Sequence, residues 1–281
     1  MNAEGSIPAA RARRPASFWV SVTVLAIVAF AAAAGPWIAP YAPTEFVSDD
    51  PFTAPRAGMW LGSDYLGRDI LSRLIVGTRL TLGMAFAATV LASLCGSVIG
   101  LLSAIHGGWF DAIASRIVDI ILSLPKIIVG LVIVAALGSS ITTIVMLAAV
   151  VYSAGVFRIA RALGNDLVKL DFIRVARARG ESTAWILFGE MLPHVIQPLA
   201  ADFAIRVSFA ILFMSSLSFL GLGVQPPLTD WGGMARENLG GLAGASFAPI
   251  YPAAAIAICS IALNLMVDAL NEHNERETGT L

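Results

Sequence analysis

Side chains able to do covalent chemistry are few in this sequence, and none is spaced for catalysis. A phosphate-cradling loop needs Gly-Lys followed by Ser or Thr, because the lysine must reach the phosphates beside a row of backbone amides. The two lysines, Lys126 and Lys169, instead follow Pro125 and Val168. His106, His194 and His273 stand far apart, and no His-Glu-x-x-His pair offers a zinc site. A Gly-x-Ser-x-Gly elbow, which would expose a nucleophilic serine, is also missing. Cys95 and Cys259 lie in apolar runs without Cys-x-x-Cys spacing and read as small buried hydrophobes. The sequence therefore points to no catalytic residue, no metal site and no cofactor. Such a chain moves or anchors something and does not convert it.

What remains is charge in apolar surroundings, where an ionisable group is a functional candidate by default. Lys126 follows Leu124-Pro125, and the proline frees a carbonyl that could accept from its ammonium. Asp202 and Arg206 stand four apart, so one helical face can hold them as a pair. Asp119 and Asp268 lie close to the ends of apolar runs, within reach of an interface. Two readings stay open for these residues. They line a translocation path or proton relay, or Asp202–Arg206 is a structural pair while Lys126 snorkels.

The elements that must position these charges follow from composition. Of 281 residues, 57% are hydrophobic and 13% charged, against roughly 45–50% and 25% in soluble domains. So little charge cannot cover a soluble surface, and a bilayer is implied. The net charge of −1 offers no basic field for nucleic acid. Six stretches approach the roughly 20 apolar residues that span a hydrocarbon core: Phe18 to Ile38, Leu80 to Ile105, Ile117 to Leu137, Ser139 to Phe157, Val207 to Val224, and Phe247 to Val267. Each must be helical, since a strand or loop facing lipid leaves backbone groups unpaired. The fold class is all-α, a polytopic membrane protein of six transmembrane helices.

Orientation follows the flanking cations. One side holds Arg11, Arg13, Arg14, Arg116, Arg158, Arg161, Lys169, Arg174, Arg177, Arg179 and Arg276; the other holds Arg56, Arg68, Arg73, Arg79 and Arg236. The richer side is the cytoplasmic one, which places both termini there. The run from Arg11 through Ala31-Ala32-Ala33-Ala34-Gly35 has features of a cleavable signal. Its apolar part is too long for one, so an uncleaved anchor is expected.

Three further features carry organisation. The segment from Ala39 to about Arg79 is rich in Pro and Asp at first. It then becomes amphipathic, with Ile70, Leu71, Leu74 and Ile75 on one face, and is expected to lie at the membrane surface and lead into the second helix. In the second window Ala88, Ala92, Gly96, Gly100 and Ala104 form a ladder of small residues that lets another helix approach, within the chain or in a partner. Between the fourth and fifth windows, Arg158 to Pro193 reads as a charged helix stopped by Gly180, then a second helix from Glu181 to Glu190, then Leu192-Pro193. A glycine permits the backbone that a helix end needs. This is a docking element projecting into the cytoplasm, or an interfacial helix on anionic lipid.

The docking stretch resembles the cytoplasmic signature of the permease subunits of binding-protein-dependent ABC importers: Glu-Ala-Ala, three residues, Gly, nine residues, Ile-x-Leu-Pro. Aligned on Gly180 and Leu192-Pro193 the spacing matches, and Ala176 takes the second Ala. Arg174, Val175 and Glu190 depart, standing at the Glu, first Ala and Ile positions. Leu61-Gly62-Ser63-Asp64-Tyr65-Leu66-Gly67-Arg68-Asp69-Ile70-Leu71-Ser72-Arg73 is similar to the segment LGTDxxGRDxxSR of the dipeptide, oligopeptide and nickel permeases. Ser218 to Pro227, with Trp231-Gly232, is similar to the SFLGLGxxPP…WG run of the second permease of that pair. Asn264 and Asp268 fit its C-terminal pattern, with Val267 where glycine is usual.

The resemblance implies the architecture of a type I ABC importer permease in the bacterial inner membrane. It implies as partners a second homologous permease in a heterodimer, two cytoplasmic ATPases and a periplasmic solute-binding protein. It also implies that Arg174, Ala176, Gly180, Leu192 and Pro193 belong to the ATPase-coupling region. The expected organisation is 1–78 for the N-terminus, first helix and periplasmic segment, 79–271 for a five-helix core with its coupling loop at about 158–193, and 272–281 for a cytoplasmic tail. Solutes on this scaffold include peptides, nickel, glutathione and opine-like compounds. Two rivals remain: a secondary transporter or channel using Lys126, Asp202 and Arg206, and a membrane anchor for another enzyme.

Overall fold

The structure, a computed structural model, describes residues 16–278. Arg11, Arg13 and Arg14 lie outside the described residues, as do the side chains of His273 and Arg276. The described chain is helical throughout, with only isolated bridges in its connecting segments. Its elements are α1 (Ala16–Ile38), α2 (Ile70–His106), α3 (Gly108–Ser123), α4 (Lys126–Leu137), α5 (Ile141–Leu167), α6 (Asp171–Ala178), α7 (Thr183–Trp185), a π-turn (Ile186–Met191), α8 (Leu192–Phe219), α9 (Trp231–Glu237), a 3-10 turn (Leu239–Gly244) and α10 (Ile250–Thr278).

Five helices are long and apolar enough to cross a bilayer, with α7 to α8 counted as one, and α3 with α4, bent by 90° at their break, is either a broken sixth span or a re-entrant loop. The third window is thus not one straight helix. Pro125 has no N–H to donate and disfavours helical backbone at Leu124 before it, and Leu124 is extended at φ −93°, ψ 139°. The ladder breaks there and restarts with Lys126.

Two boundaries move for related reasons. Asp69 caps α2, its carboxylate accepting from the Ser72 backbone N–H at 2.7 Å. The amphipathic stretch leads into the second span as expected, forming the first turns of a 37-residue helix, but Ile70, Ser72 and Arg73 are buried there. Residues 78 and 79, where a division was expected, both lie inside α2. On the cytoplasmic side, Glu181 to Glu190 is not an independent helix, because α7, the π-turn and α8 run on as one helix from Thr183 to Phe219. The π-turn widens the ladder just before Pro193, which relieves the clash a proline ring makes with the preceding turn.

The small-residue ladder settles against α5. A Cβ on Gly96 would come 2.6 Å from the Ser153 carbonyl oxygen, and one on Gly100 would come 2.7 Å from that of Phe157. Ala88, Ala92 and Ala104 are buried along the same face. Close approach of this kind gains dispersion along the seam, the main source of helix association in lipid. The ladder is thus used within the chain.

Candidate functional site

Three constellations stand out, at the two ends and the middle of the helical bundle. At the end where the Lys- and Arg-rich segments gather, α6 stands between the ends of α5 and α7. Ile173 and Ala176 are buried and join an apolar cluster with Leu101, Ala160, Met191 and Val195. Leu192 packs against the same cluster, which brings it together with Ala176, while Pro193 is exposed on α8. Arg174 and Val175 point outward; the Arg174 guanidinium has only Asp171 beside it, at 3.3 Å on the same exposed helix.

Gly180 ends this helix with φ +78°. The Glu181 N–H donates to the Ala176 carbonyl at 3.1 Å, and the Gly180 N–H to that of Arg177 at 3.0 Å. This pair of bonds is the Schellman arrangement, which needs a left-handed residue at the position Gly180 fills. Two contacts that sequence reasoning missed tie α6 to its neighbours. Arg177 donates to the Ile105 carbonyl at the end of α2, at 2.9 Å. Phe172 stacks on His194 of α8 with ring centroids 4.8 Å apart. Neither has a local signal, since the partners are 72 and 22 positions away.

At the opposite end lies a buried ionic cluster. Asp64 is fully buried and accepts from the Leu66 and Arg68 backbone N–H groups, from the Arg68 side chain at 2.7 Å, and from Arg73. The other terminal nitrogen of Arg73 donates to Glu237 at 2.9 Å. Tyr65 N–H donates to the Asn238 side chain at 3.1 Å. The motif from Leu61 to Arg73 therefore clamps the segment after α1 to α9. The Ser218 to Gly223 run is a second Schellman cap: Gly221 has φ +89°, and the Leu222 N–H donates to the Leu217 carbonyl at 3.0 Å. Gly232 admits the α8 backbone, since a Cβ there would lie 2.3 Å from the Ser215 carbonyl. Asp230 caps α9 through the Gly232 and Gly233 N–H groups. Burial pushes its carboxyl up to about 6, and Glu237 adds to this against the hydrogen bonds from Ser218 and the two glycines.

The middle constellation joins three of the charges singled out by sequence. Asp202 accepts from Arg206 Nε, both nearly buried on α8. A terminal nitrogen of Arg206 approaches the Tyr152 carbonyl of α5 at 3.4 Å, in space left by Gly155, whose Cβ would fall 2.7 Å from it. Lys126 comes to the same place from the α3–α4 break, its ammonium 4.8 Å above the Tyr152 ring. Among the described residues no carbonyl accepts from its ammonium, and the aromatic face takes that role. Asp119 is elsewhere, paired with Arg158 at 2.7 Å, and Asp268 is exposed on α10. Cys259 is buried as expected, whereas Cys95 is exposed, and neither forms a disulfide.

Residues 96–279 match the family described as the binding-protein-dependent transport system inner membrane component. The glutathione transport system permease protein GsiD of Pectobacterium atrosepticum is 36% identical over 220 residues, which cover 78% of this chain and 72% of that protein. The protein of the same name from Escherichia coli O1:K1 is 36% identical over 239 residues, covering 84% of this chain and 78% of its own. That of Shigella sonnei shows the same identity and coverage.

Proposed function

Because the chain belongs to the inner membrane components of binding-protein-dependent transport systems, a multi-pass permease family and not a class of enzymes, we propose that it forms half of the solute pathway of an importer for small peptides. The other half is a second, homologous permease. Separate cytoplasmic ATPases supply the energy, consistent with a sequence that has no Gly-Lys-Ser/Thr loop of its own. A periplasmic binding protein delivers the solute.

The observation that carries this reading is α6. It is a short helix whose apolar face is seated on the ends of α2, α5 and α8, with Arg177 bonded to the end of α2 and Arg174 facing outward. A rigid element of that kind can pass closure of an ATPase dimer to three spans at once, which shifts the population between two arrangements of the bundle. Gly180 sets where the chain turns away from α6. Ala176 and Leu192 anchor it, and Arg174 meets an acidic group on the ATPase. Pro193 lies at the start of α8, the span that α6 would move.

Orientation has support from the clamp. The segment 41–68 is bonded to α9 and its flanks, so both lie on one side, opposite α6. The cation-rich side is cytoplasmic, so these segments are periplasmic. Reconstitution tests the whole reading. Vesicles with this chain, the second permease, the ATPases and the binding protein should accumulate peptide on ATP. Accumulation by this chain alone on a pH gradient would favour the secondary-transporter reading instead.

A further inference from the structure

We infer that Lys126 is the pathway's contact for a carboxylate of the transported peptide, an inference that rests on the importer reading above. Three observations place an unmatched positive charge within the apolar part of the bundle. Tyr152 stands eleven residues into α5, about 16 Å along its axis, and six residues before Arg158, inside the uncharged stretch of that span. Lys126 lies over that ring, so its ammonium shares this depth. The nearby carboxylate, Asp202, already holds Arg206, so Lys126, Arg206 and Asp202 together carry a charge of +1.

The two acids of α3 are matched. Asp111 takes Arg161 and Asp119 takes Arg158. Lys126 has no carboxylate within ion-pair distance among the described residues, and the charge that acts on it is the like charge of Arg206. Its side chain is nonetheless exposed, beside a cleft of about 500 Å³ between α3, α4 and α5 whose lining is otherwise mostly apolar. An exposed ammonium at that depth is too costly against lipid, so it faces a watered path or an anion. The first turn of α4, which lacks a side-chain cap, adds partial positive charge on the same side.

Every unblocked peptide carries a C-terminal carboxylate, and a weak, solvent-reachable cation can hold it in passing without trapping it. The same charge repels a bare divalent cation, which separates peptides from the metal solutes found on similar scaffolds.

The test uses the complete importer in liposomes, with radiolabelled S-methylglutathione and trialanine, which have no free thiol to cleave a disulfide adduct, as probes and binding protein at saturation. In a Cys95→Ser, Cys259→Ala background, Lys126→Cys should assemble with its partners but import about tenfold more slowly, the loss of roughly one ionic hydrogen bond. An aminoethyl methanethiosulfonate adduct, which restores the ammonium, should bring the rate back; the neutral methyl reagent should not. Lys126→Arg should import at close to the wild-type rate. Wild-type import by Lys126→Cys, or equal rescue by the neutral reagent, overturns the inference. Failure of Lys126→Cys to co-purify with the second permease also overturns it, because Lys126 would then be an ion-pair partner between subunits. A wild-type importer that takes up neither probe on ATP overturns the importer reading, and this inference with it.

Discussion

The guanidinium of Arg73 lies 2.9 Å from the carboxylate of Glu237, 164 positions further along the chain. Its other terminal nitrogen holds Asp64, so one side chain bonds the segment after α1 to the helix before α10. Arg73 and Asp64 are almost wholly buried. Charges so enclosed are tolerable only while each keeps its partner.

Arg73→Met should therefore leave Asp64 with Arg68 as its one cationic partner and lower stability by about 1–3 kcal/mol, less than the roughly 3–5 kcal/mol of a fully orphaned buried charge. The midpoint of thermal unfolding in detergent checks this, and Arg73→Lys should fall between the two. A midpoint unchanged in Arg73→Met would mean that the clamp contributes nothing.

Asp230 gives the periplasmic end a pH dependence. Its folded pKa, about 6, lies above the ordinary 3.8. Folding thus favours the protonated acid. The resulting stabilisation is complete below about pH 4 and is lost as pH rises through 6. The difference between pH 4 and pH 8 amounts to roughly 3 kcal/mol. Asp230→Asn keeps an oxygen for the cap and cannot ionise, so its melting temperature should vary less over this range than that of the wild type.

At Gly180 strain and crowding can be separated, because a Cβ there would meet nothing within 4 Å. Left-handed backbone costs a branched residue about 1–2 kcal/mol, while asparagine tolerates it. Gly180→Val should insert normally yet lose ATPase co-purification or uncouple hydrolysis from import, and Gly180→Asn should keep both. Normal coupling in Gly180→Val would remove α6 from the coupling role.

Topology is open to labelling from outside with a membrane-impermeant maleimide. Asp230 is too buried to report, so Asp50→Cys and Leu242→Cys, both at exposed positions, are the suitable probes. Each should react in intact spheroplasts. Reaction only after permeabilisation would invert the orientation.

Much of the site was legible where the signal is local. The left-handed turn at Gly180 follows from one glycine after a charged helical stretch, and its φ of +78° bears that out. The Asp202–Arg206 pair follows from a spacing of four on a helix. Lys126 was legible only as a charge out of place, since the ring it faces, Tyr152, sits on another helix. Phe172–His194 and Arg177–Ile105 had no sequence signal, because aromatic stacking and backbone acceptance depend on where the helices end.

By itself the sequence determined the class of the molecule and where its apolar helices lie. Twenty apolar residues in lipid have only the helix to satisfy their backbone, so composition decides that level without any tertiary contact. Its motifs likewise determined which residues would recur at the two ends. Tertiary structure alone decided the 90° turn after Pro125, the run of α7 through Pro193 into α8, and the Asp64–Arg73–Glu237 clamp. A proline removes one hydrogen bond but does not say which way the chain then goes; packing against α5 and α8 does. Opposite charges far apart in sequence acquire a meaning only when folding removes the water between them.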